Sequence, residues 1–488
     1  MRKTHRGVTT VALALSLFMS ALELTVVSTA MPTVVGEVGG IEHYAWVFTA
    51  YLLAATVTLP IYGKLADLYG RKPVLLFGIG FFLAGSVASG LSGTIHALII
   101  FRAIQGLGAG AMQPIALTII GDIYTLEQRA RVQGAFSGVW GLAGLIGPLA
   151  GGLIVKYLSW RWVFFINVPF GLLVVALLAT RFHEEVGRRE HSLDWLGAGL
   201  LAAGVLALLA GVQQTLPPAV AFPLAGFLLV LFVWVERRAS EPVLPLRIFK
   251  IPEIAIASGA GALFSGAMFG AITYVPLFVQ GVLSGTPTQA GGMITPMIVA
   301  WPMCSLISGR LLTRVGFRPL IVGGFFLAAF GNLLMALLLK PNSSMLIPQI
   351  AMGVFGAGLG FASTALLIAV QTSVGWELRG VATASNMFFR TIGGTLAIGA
   401  MGGVLAARLA RDPQIPVQAA NALLGPDHGR SLSPDVLRML GGQLEAGLVI
   451  NFWIIFGLAL AAFVTALFFP PRPPREGRVV GEALDEVA

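Results

Sequence analysis

The chain has 488 residues, 56% of them hydrophobic and only 11% charged, with a net charge of +9. A soluble globular protein carries about 25% charged residues, so this composition excludes a water-soluble fold and points to the bilayer. The single cysteine, Cys304, excludes an internal disulfide and any cysteine-built metal or iron–sulfur site; no two histidines stand four apart, and the basic residues are spread over short loops, not gathered into a nucleic-acid-binding face.

A membrane-crossing helix needs about 20 mostly apolar residues. Fourteen segments qualify: 9–33, 46–66, 73–92, 96–119, 132–155, 162–180, 195–213, 220–236, 254–281, 289–312, 319–339, 345–371, 380–407 and 447–469. An even number of spans puts both termini on one side. With the N-terminus cytoplasmic, most of the 31 Lys and Arg fall in cytoplasmic segments, among them Arg2, Lys3, Lys64, Arg71, Lys72, Arg188, Arg189, Arg237 and Arg238. That bias places both termini in the cytoplasm and the chain in the cytoplasmic (inner) membrane. A rival reading takes the basic start and the apolar run ending in STA (28–30) as a cleavable signal peptide, which would leave thirteen spans.

Span 1 contains Glu23 in a stretch, 8–31, that is otherwise without charge. Span 4 contains Arg102. At 1.5 Å rise per residue, both lie roughly 10 Å from the outer ends of their helices, a depth that suits pairing across a bundle. A buried acid beside an arginine can exchange a proton as its surroundings open and close; the plainer reading is a static brace between spans 1 and 4. Gln105 lies one turn from Arg102, on the same face.

Between spans 2 and 3 the sequence reads GKLADLYGRKP (63–73). Gly63 and Gly70 suit a tight turn and close packing. Asp67 suits the positive end of a helix in the other half, and Arg71 suits pairing with Asp122 at the end of span 4. An ordinary solvated, basic loop is the alternative. In span 5, Gly147, Pro148, Gly151 and Gly152 predict a bent helix that admits a close neighbour. Spans 7 and 8 hold few polar groups and read as peripheral.

Gln113, Tyr274, Gln280 and Asn386 are further polar groups in spans, expected either to line a substrate cavity or to satisfy nearby backbone. Arg390 lies about 15 Å into span 13. No acid occurs deep in the spans of its half, so its partners are expected to be carbonyls, water or something bound; bracing the contact at Gly393 and Gly394 is the structural reading, and contact with an anion or head group is the alternative. The outer loop 408–446 is longer than a connector needs, and 434–444 suits a short amphipathic helix with Pro434 at its first position. The loop suits shading the outer mouth or meeting a partner outside the cytoplasm; a passive loop is the plainer reading. The tail, 471–488, begins PRPPREGR and is expected to be disordered.

GRLLTRVGFRP (309–319) is a degraded copy of 63–73, and GAGLG (356–360) corresponds to GLGAG (106–110), both offset by about 250 residues. The expected organisation is an N-terminal six-helix half (1–180), two inserted helices with cytoplasmic linkers (181–250), a C-terminal six-helix half (251–470) and the tail. Internal repeats of this kind typify secondary transporters.

GKLADLYGRKP resembles the loop signature of the major facilitator superfamily. LELTVVSTAMP (22–32), RAIQGLGAG (102–110), GLIGPLAGG (144–152), YVPLFVQGVLSGTPTQAG (274–291) and RTIGGTLAIG (390–399) resemble its fourteen-helix drug:proton antiporter branch, with Glu23 where that branch usually has Asp. The resemblance implies an all-α major facilitator fold. It implies that Glu23 and Arg102 couple protons, that the 63–73 loop latches the outward-open state, and that span 5 serves antiport. No G-x-x-x-x-G-K-[ST] is present, so no nucleotide is expected and the driving force is an ion gradient with no cofactor. The expected function is proton-coupled efflux of lipophilic or amphipathic compounds, with a lipid exporter of the same fold or an uncoupled facilitator as alternatives. The expected partners are the small-molecule or lipid substrate and the surrounding membrane lipids, with no nucleic acid. The spans pair no nucleophile with a base, so no enzyme is expected.

Overall fold

A computed structural model describes residues 4–124, 126–184, 194–212, 215–239, 242, 244, 246–339, 346–374, 379–409 and 434–471. The described residues form helices joined by short connections: α1 (Arg6–Val38), α2 (Tyr44–Tyr69), α3 (Arg71–Gly90), α4 (Ile95–Ile123), α5 (Leu126–Tyr157), α6 (Trp162–Phe165), α7 (Asn167–Arg181), α8 (Trp195–Val212), α9 (Pro218–Glu236), α10 (Pro252–Gly281), α11 (Pro287–Val315), α12 (Phe317–Leu338), α13 (Leu346–Thr372), α14 (Arg379–Leu409) and α15 (Pro434–Leu467). With no water in the bilayer to satisfy backbone groups, helices that close their own hydrogen bonds are what an apolar chain of this kind can form. Among the described residues, thirteen helices are long and apolar enough to cross a membrane. The chain is a multi-pass membrane protein, and α2, 26 residues long, occupies the remaining expected span.

Three boundaries differ from the sequence expectation. The sixth span is two helices, α6 and α7, meeting at Ile166. Pro169, the third residue of α7, has no N–H to offer the Phe165 carbonyl, so the helix cannot run unbroken through this point. The expected short helix at 434–444 is instead the first part of the 34-residue α15, with Pro434 at its start. The connection before it is therefore shorter than 408–446, and residues 410–433, like the tail 472–488, lie outside the described residues. Third, α2 runs unbroken through Gly63, where an added Cβ would meet nothing within 4 Å. The turn is made at Gly70 alone, with φ +93°.

The internal repeat is visible in the packing. Gly70 precedes α3 and Gly316 precedes α12, and both adopt positive φ, 93° and 84°, where only glycine sits without strain. In α4, Gly106 and Gly110 lie against Tyr51 and Ala55 of α2, while Gly108 lies against Phe82 of α3. In α13, Gly356 and Gly360 lie against Met297 and Trp301 of α11, while Gly358 lies against Ala328 of α12. The reversed spelling of the two motifs, GLGAG and GAGLG, preserves glycine at every second position, and that spacing sends alternate glycines to two different neighbours.

By contact density the chain divides into two units. One comprises Met1–Val243 with Ile272–Thr295 and Ile398–Asn451; the other comprises Leu244–Ala271, Pro296–Ala397 and Phe452–Ala488. In the first unit, α8 and α9 pack on each other, with Gly204 against Leu229 and Gly211 against Ala221. Only 17% of the most apolar stretch of α9 is buried, against 83% for α10, so α9 presents most of its surface outward.

Candidate functional site

Glu23 (α1) and Arg102 (α4) meet in the first unit, in a fully buried ion pair between Arg102 Nη1 and Glu23 Oε1. Glu23 is 1% and Arg102 0% exposed. The equal depth of the two residues on α1 and α4 explains why they can meet. The same Nη1 donates to Gln105 Oε1 at 2.8 Å, one turn along α4. Arg102 Nε donates to the Val47 carbonyl at 3.3 Å, and the guanidinium lies 4.1 Å from the centre of the Tyr51 ring.

The second carboxylate oxygen is held by a residue that sequence reasoning passed over. Asn167, the first residue of α7, donates from Nδ2 to Glu23 Oε2 at 2.5 Å and to Ser86 Oγ at 3.0 Å. Gln105 Nε2 also donates to Ser86 Oγ, at 3.2 Å, and the Ser86 hydroxyl donates onward to the Phe164 carbonyl at 2.8 Å. Ser86 thus ties α3 to α4 and to both pieces of the sixth span. The break between α6 and α7 sets Asn167 facing the acid. A lone Asn two residues before a proline, in an otherwise apolar span, was the available signal for it; Ser86 gave none. Arg102 Nη2 and Asn167 Oδ1 have no hydrogen-bond partner among the described residues. The cluster therefore holds one carboxylate, one guanidinium and two amides with donor and acceptor capacity to spare.

At the α2–α3 turn, Arg71 Nε lies 3.3 Å from Asp122 Oδ2, the pairing the sequence suggested. Glu184, just after α7, was not foreseen. Its carboxylate accepts from the main-chain N–H groups of Arg71 (2.8 Å) and Lys72 (2.9 Å), the first residues of α3. A carboxylate here satisfies two of the unpaired N–H groups of a helix start and meets its positive end. Lys72 Nζ donates to the Ala179 and Phe182 carbonyls. In sequence, Glu184 looks like any acid in a charged linker, and only the fold brings it to α3. The Asp67 side chain lies outside the described residues.

The span 5 glycines admit two helices. Gly147 and Gly151 lie against Thr25 and Val26 of α1, and an added Cβ at Gly152 would fall 2.7 Å from Thr288 Cα at the start of α11. Pro148 lies against Gly291 of α11. Gln280 and Tyr274 are buried in the same unit. Gln280 Nε2 donates to the Thr29 carbonyl at 2.9 Å and Thr33 Oγ1 donates to Gln280 Oε1 at 3.0 Å, on either side of Pro32 in α1. Tyr274 donates to the Ile398 carbonyl at 2.8 Å, and Tyr44 donates to the Thr273 carbonyl at 2.9 Å. Gln113 is half-buried on α4, outside the Glu23 network. Asn386 and Arg390 lie on α14 in the second unit, with the Arg390 guanidinium 5.5 Å from the Phe264 ring centre.

The family model for the major facilitator superfamily matches residues 13–398. The chain belongs to the major facilitator superfamily. The superfamily's multidrug transporters stand among its relatives. The Bacillus subtilis (strain 168) multidrug transporter protein MdtP is 38% identical over 418 residues, covering 83% of this chain and 76% of that protein. Multidrug resistance protein 3 of the same organism is 36% identical over 403 residues, covering 80% and 78%. Among solved structures, a bacterial homologue of the human lysosomal transporter Spinster, in an inward-facing and unoccupied conformation, superposes with a TM-score of 0.70 at 16% identity over 97% of this chain and 100% of that one. A D-xylose–proton symporter gives a TM-score of 0.66 at 13% identity over 97% and 100%. At such identities the structural likeness establishes the major facilitator fold alone.

Proposed function

We propose that this transporter exports lipophilic or amphipathic compounds, drugs among them, in exchange for protons entering through Glu23, by alternating access in the cytoplasmic membrane with both termini in the cytoplasm. Export is supported by the identity to multidrug transporters over more than three quarters of each chain. The proton role rests on one observation, the buried Glu23–Arg102–Asn167 cluster. Arg102 has partners other than Glu23: the Val47 carbonyl, Gln105 Oε1 and the Tyr51 face. Its guanidinium therefore stays held whether Glu23 is charged or neutral, and the acid can cycle without the bundle coming apart. Charges this deep in a membrane protein are costly and usually mark ion pathways. The driving force is the proton gradient, with no cofactor, and the chain is a carrier, not an enzyme.

The Gln280 and Tyr44 hydrogen bonds tie α1 and α2 to the end of α10 on the side assigned as outer. In this reading they form part of the outer closure and break when the transporter opens outward. The loop at Gly70, Arg71 and Asp122 acts as the cytoplasmic latch.

The test uses everted vesicles with an imposed pH gradient and a panel of lipophilic dyes, cationic and anionic. Substrate addition is expected to release protons with wild-type protein and with Arg478→Ala, and to release none with Glu23→Gln. Normal proton-coupled flux in Glu23→Gln refutes the assignment.

A further inference from the structure

The second unit contains an arginine whose surroundings are the reverse of those of Arg102. There α10 and α14 run side by side in close contact. An added Cβ on Gly266 would fall 2.9 Å from Ala397 Cβ, and one on Gly393 would fall 2.6 Å from Ala262 Cα. This register sets Gly261 opposite Arg390, and the missing side chain of Gly261 makes room for the arginine stem. A Cβ there would lie 3.0 Å from Arg390 Cγ and 3.7 Å from Asn386 Nδ2. Asn386 and Arg390 stand four apart on α14 and so share a face. The same register places Ser258, one turn before Gly261 on α10, opposite Phe389, between Asn386 and Arg390 on α14.

Two of these groups are buried polar atoms without a hydrogen-bond partner among the described residues. Asn386 is 3% exposed and its Nδ2 has no hydrogen-bond partner among the described residues. Ser258 is 2% exposed and its Oγ likewise has none. Arg390 forms no ion pair with any described carboxylate; its guanidinium lies over the Phe264 ring. Where Arg102 has Glu23, no described residue sets an opposite charge against Arg390. A buried donor left without an acceptor is costly, and a guanidinium beside an amide N–H matches the oxygens of an oxyanion, to which charge-assisted hydrogen bonds are strong and directional. Phe264 offers an apolar face for what the oxyanion is attached to.

We propose that Arg390 and Asn386, with Ser258 at their level and Phe264 beneath the guanidinium, form a subsite for the oxyanion head of an amphiphile. The chemistry is that of a carboxylate on the cargo or a phosphate on a phospholipid. This deepens the export reading, on which it rests for the identity of the ligand as cargo, by naming a substrate class: amphiphiles with an acidic head. The acid in the first unit is already paired with Arg102, and among the described residues Arg390 has no ion pair, so this subsite selects for anions.

The test is equilibrium binding to the purified full-length transporter in phosphatidylcholine nanodiscs. The probes are dansyl-undecanoic acid and its uncharged methyl ester. Wild-type protein is expected to prefer the acid at least about tenfold. Arg390→Gln is expected to abolish the preference. Asn386→Asp serves as a second variant that cannot fail for want of a partner, because it gives Arg390 a carboxylate one helical turn away; it too is expected to abolish the preference. Adding phosphatidate to the nanodiscs separates the sources: weakened acid binding assigns the subsite to lipid phosphate, and unchanged binding assigns it to the cargo's carboxylate. Equal affinity for acid and ester in the wild type, or a preference that survives both variants, overturns the proposal. The measurement needs no proton gradient. A failed coupling assay on Glu23→Gln would leave the subsite standing, and a lost acid preference would leave proton coupling standing.

Discussion

Replacing Asn167 by leucine, a side chain of similar size, removes two donated hydrogen bonds, one to Glu23 Oε2 at 2.5 Å and one to Ser86 Oγ at 3.0 Å. Ser86 loses little, because it still accepts from Gln105 and donates to the Phe164 carbonyl. The cost therefore falls on Glu23, whose second oxygen is left buried and unpaired. Neutral hydrogen bonds between membrane helices average about 0.6 kcal/mol, whereas a bond to a charged group contributes about 1.5–3 kcal/mol. The magnitude thus reports whether the carboxylate carries its charge in this conformation. A double-mutant cycle of Asn167→Leu and Glu23→Ala, read by unfolding in mixed detergent and SDS with tryptophan fluorescence, isolates the pair from packing effects common to both variants. The expected coupling is about 1.5–3 kcal/mol. A coupling of about 0.6 kcal/mol or less would mean that Asn167 makes an ordinary contact and that the charged cluster is misread.

Glu184→Ala removes the acceptor for two N–H groups at the start of α3 and is expected to destabilise the protein by about 1 kcal/mol, seen as a lower melting temperature; no change would show that water replaces the carboxylate without loss. Gly108→Leu and Gly358→Leu force a side chain against the backbone of α3 and α12, where even a Cβ would lie 2.8 Å from Phe82 Cα or Ala328 Cα, and should leave no monodisperse protein on size exclusion, whereas Gly63→Ala, with nothing within 4 Å, should fold as wild type. Outside the spans, His43 Nδ1 lies 3.4 Å from Glu42 Oε1, and that contact holds the Glu42 carboxyl below its ordinary range despite partial burial. A lowered folded-state pKa stabilises above the unfolded value of about 4.3 and ceases to as pH falls through the folded value, so Glu42→Gln should melt earlier than wild type near neutrality and the two should converge below about pH 4; a constant gap refutes it.

Much of the fold could be read from residue order because a bilayer leaves a chain few choices. Long apolar runs must close their hydrogen bonds as helices, so the spans, the repeat at 63–73 and 309–319, and the glycine pairs at 106–110 and 356–360 all appear in sequence as they do in space. Glu23 and Arg102 stood out for the same reason: a charge in an apolar run is conspicuous, and helix rise alone fixes its depth. Asn167, Ser86 and Glu184 carry no such mark. Each matters because of a neighbour far away in the chain, brought to it by the break at Ile166 and by the way the end of α7 meets the start of α3. For Arg390 the sequence already showed a half without a deep acid; what stayed hidden was that Asn386 beside it has an Nδ2 unpartnered among the described residues and that Gly261 makes room for its stem. Sequence by itself determined which segments form long apolar helices and where their charges lie in depth. Which polar groups meet, and which are left wanting a partner, was decided only by tertiary packing, because direction around a helix and proximity between helices are set by side chains that interlock across the bundle.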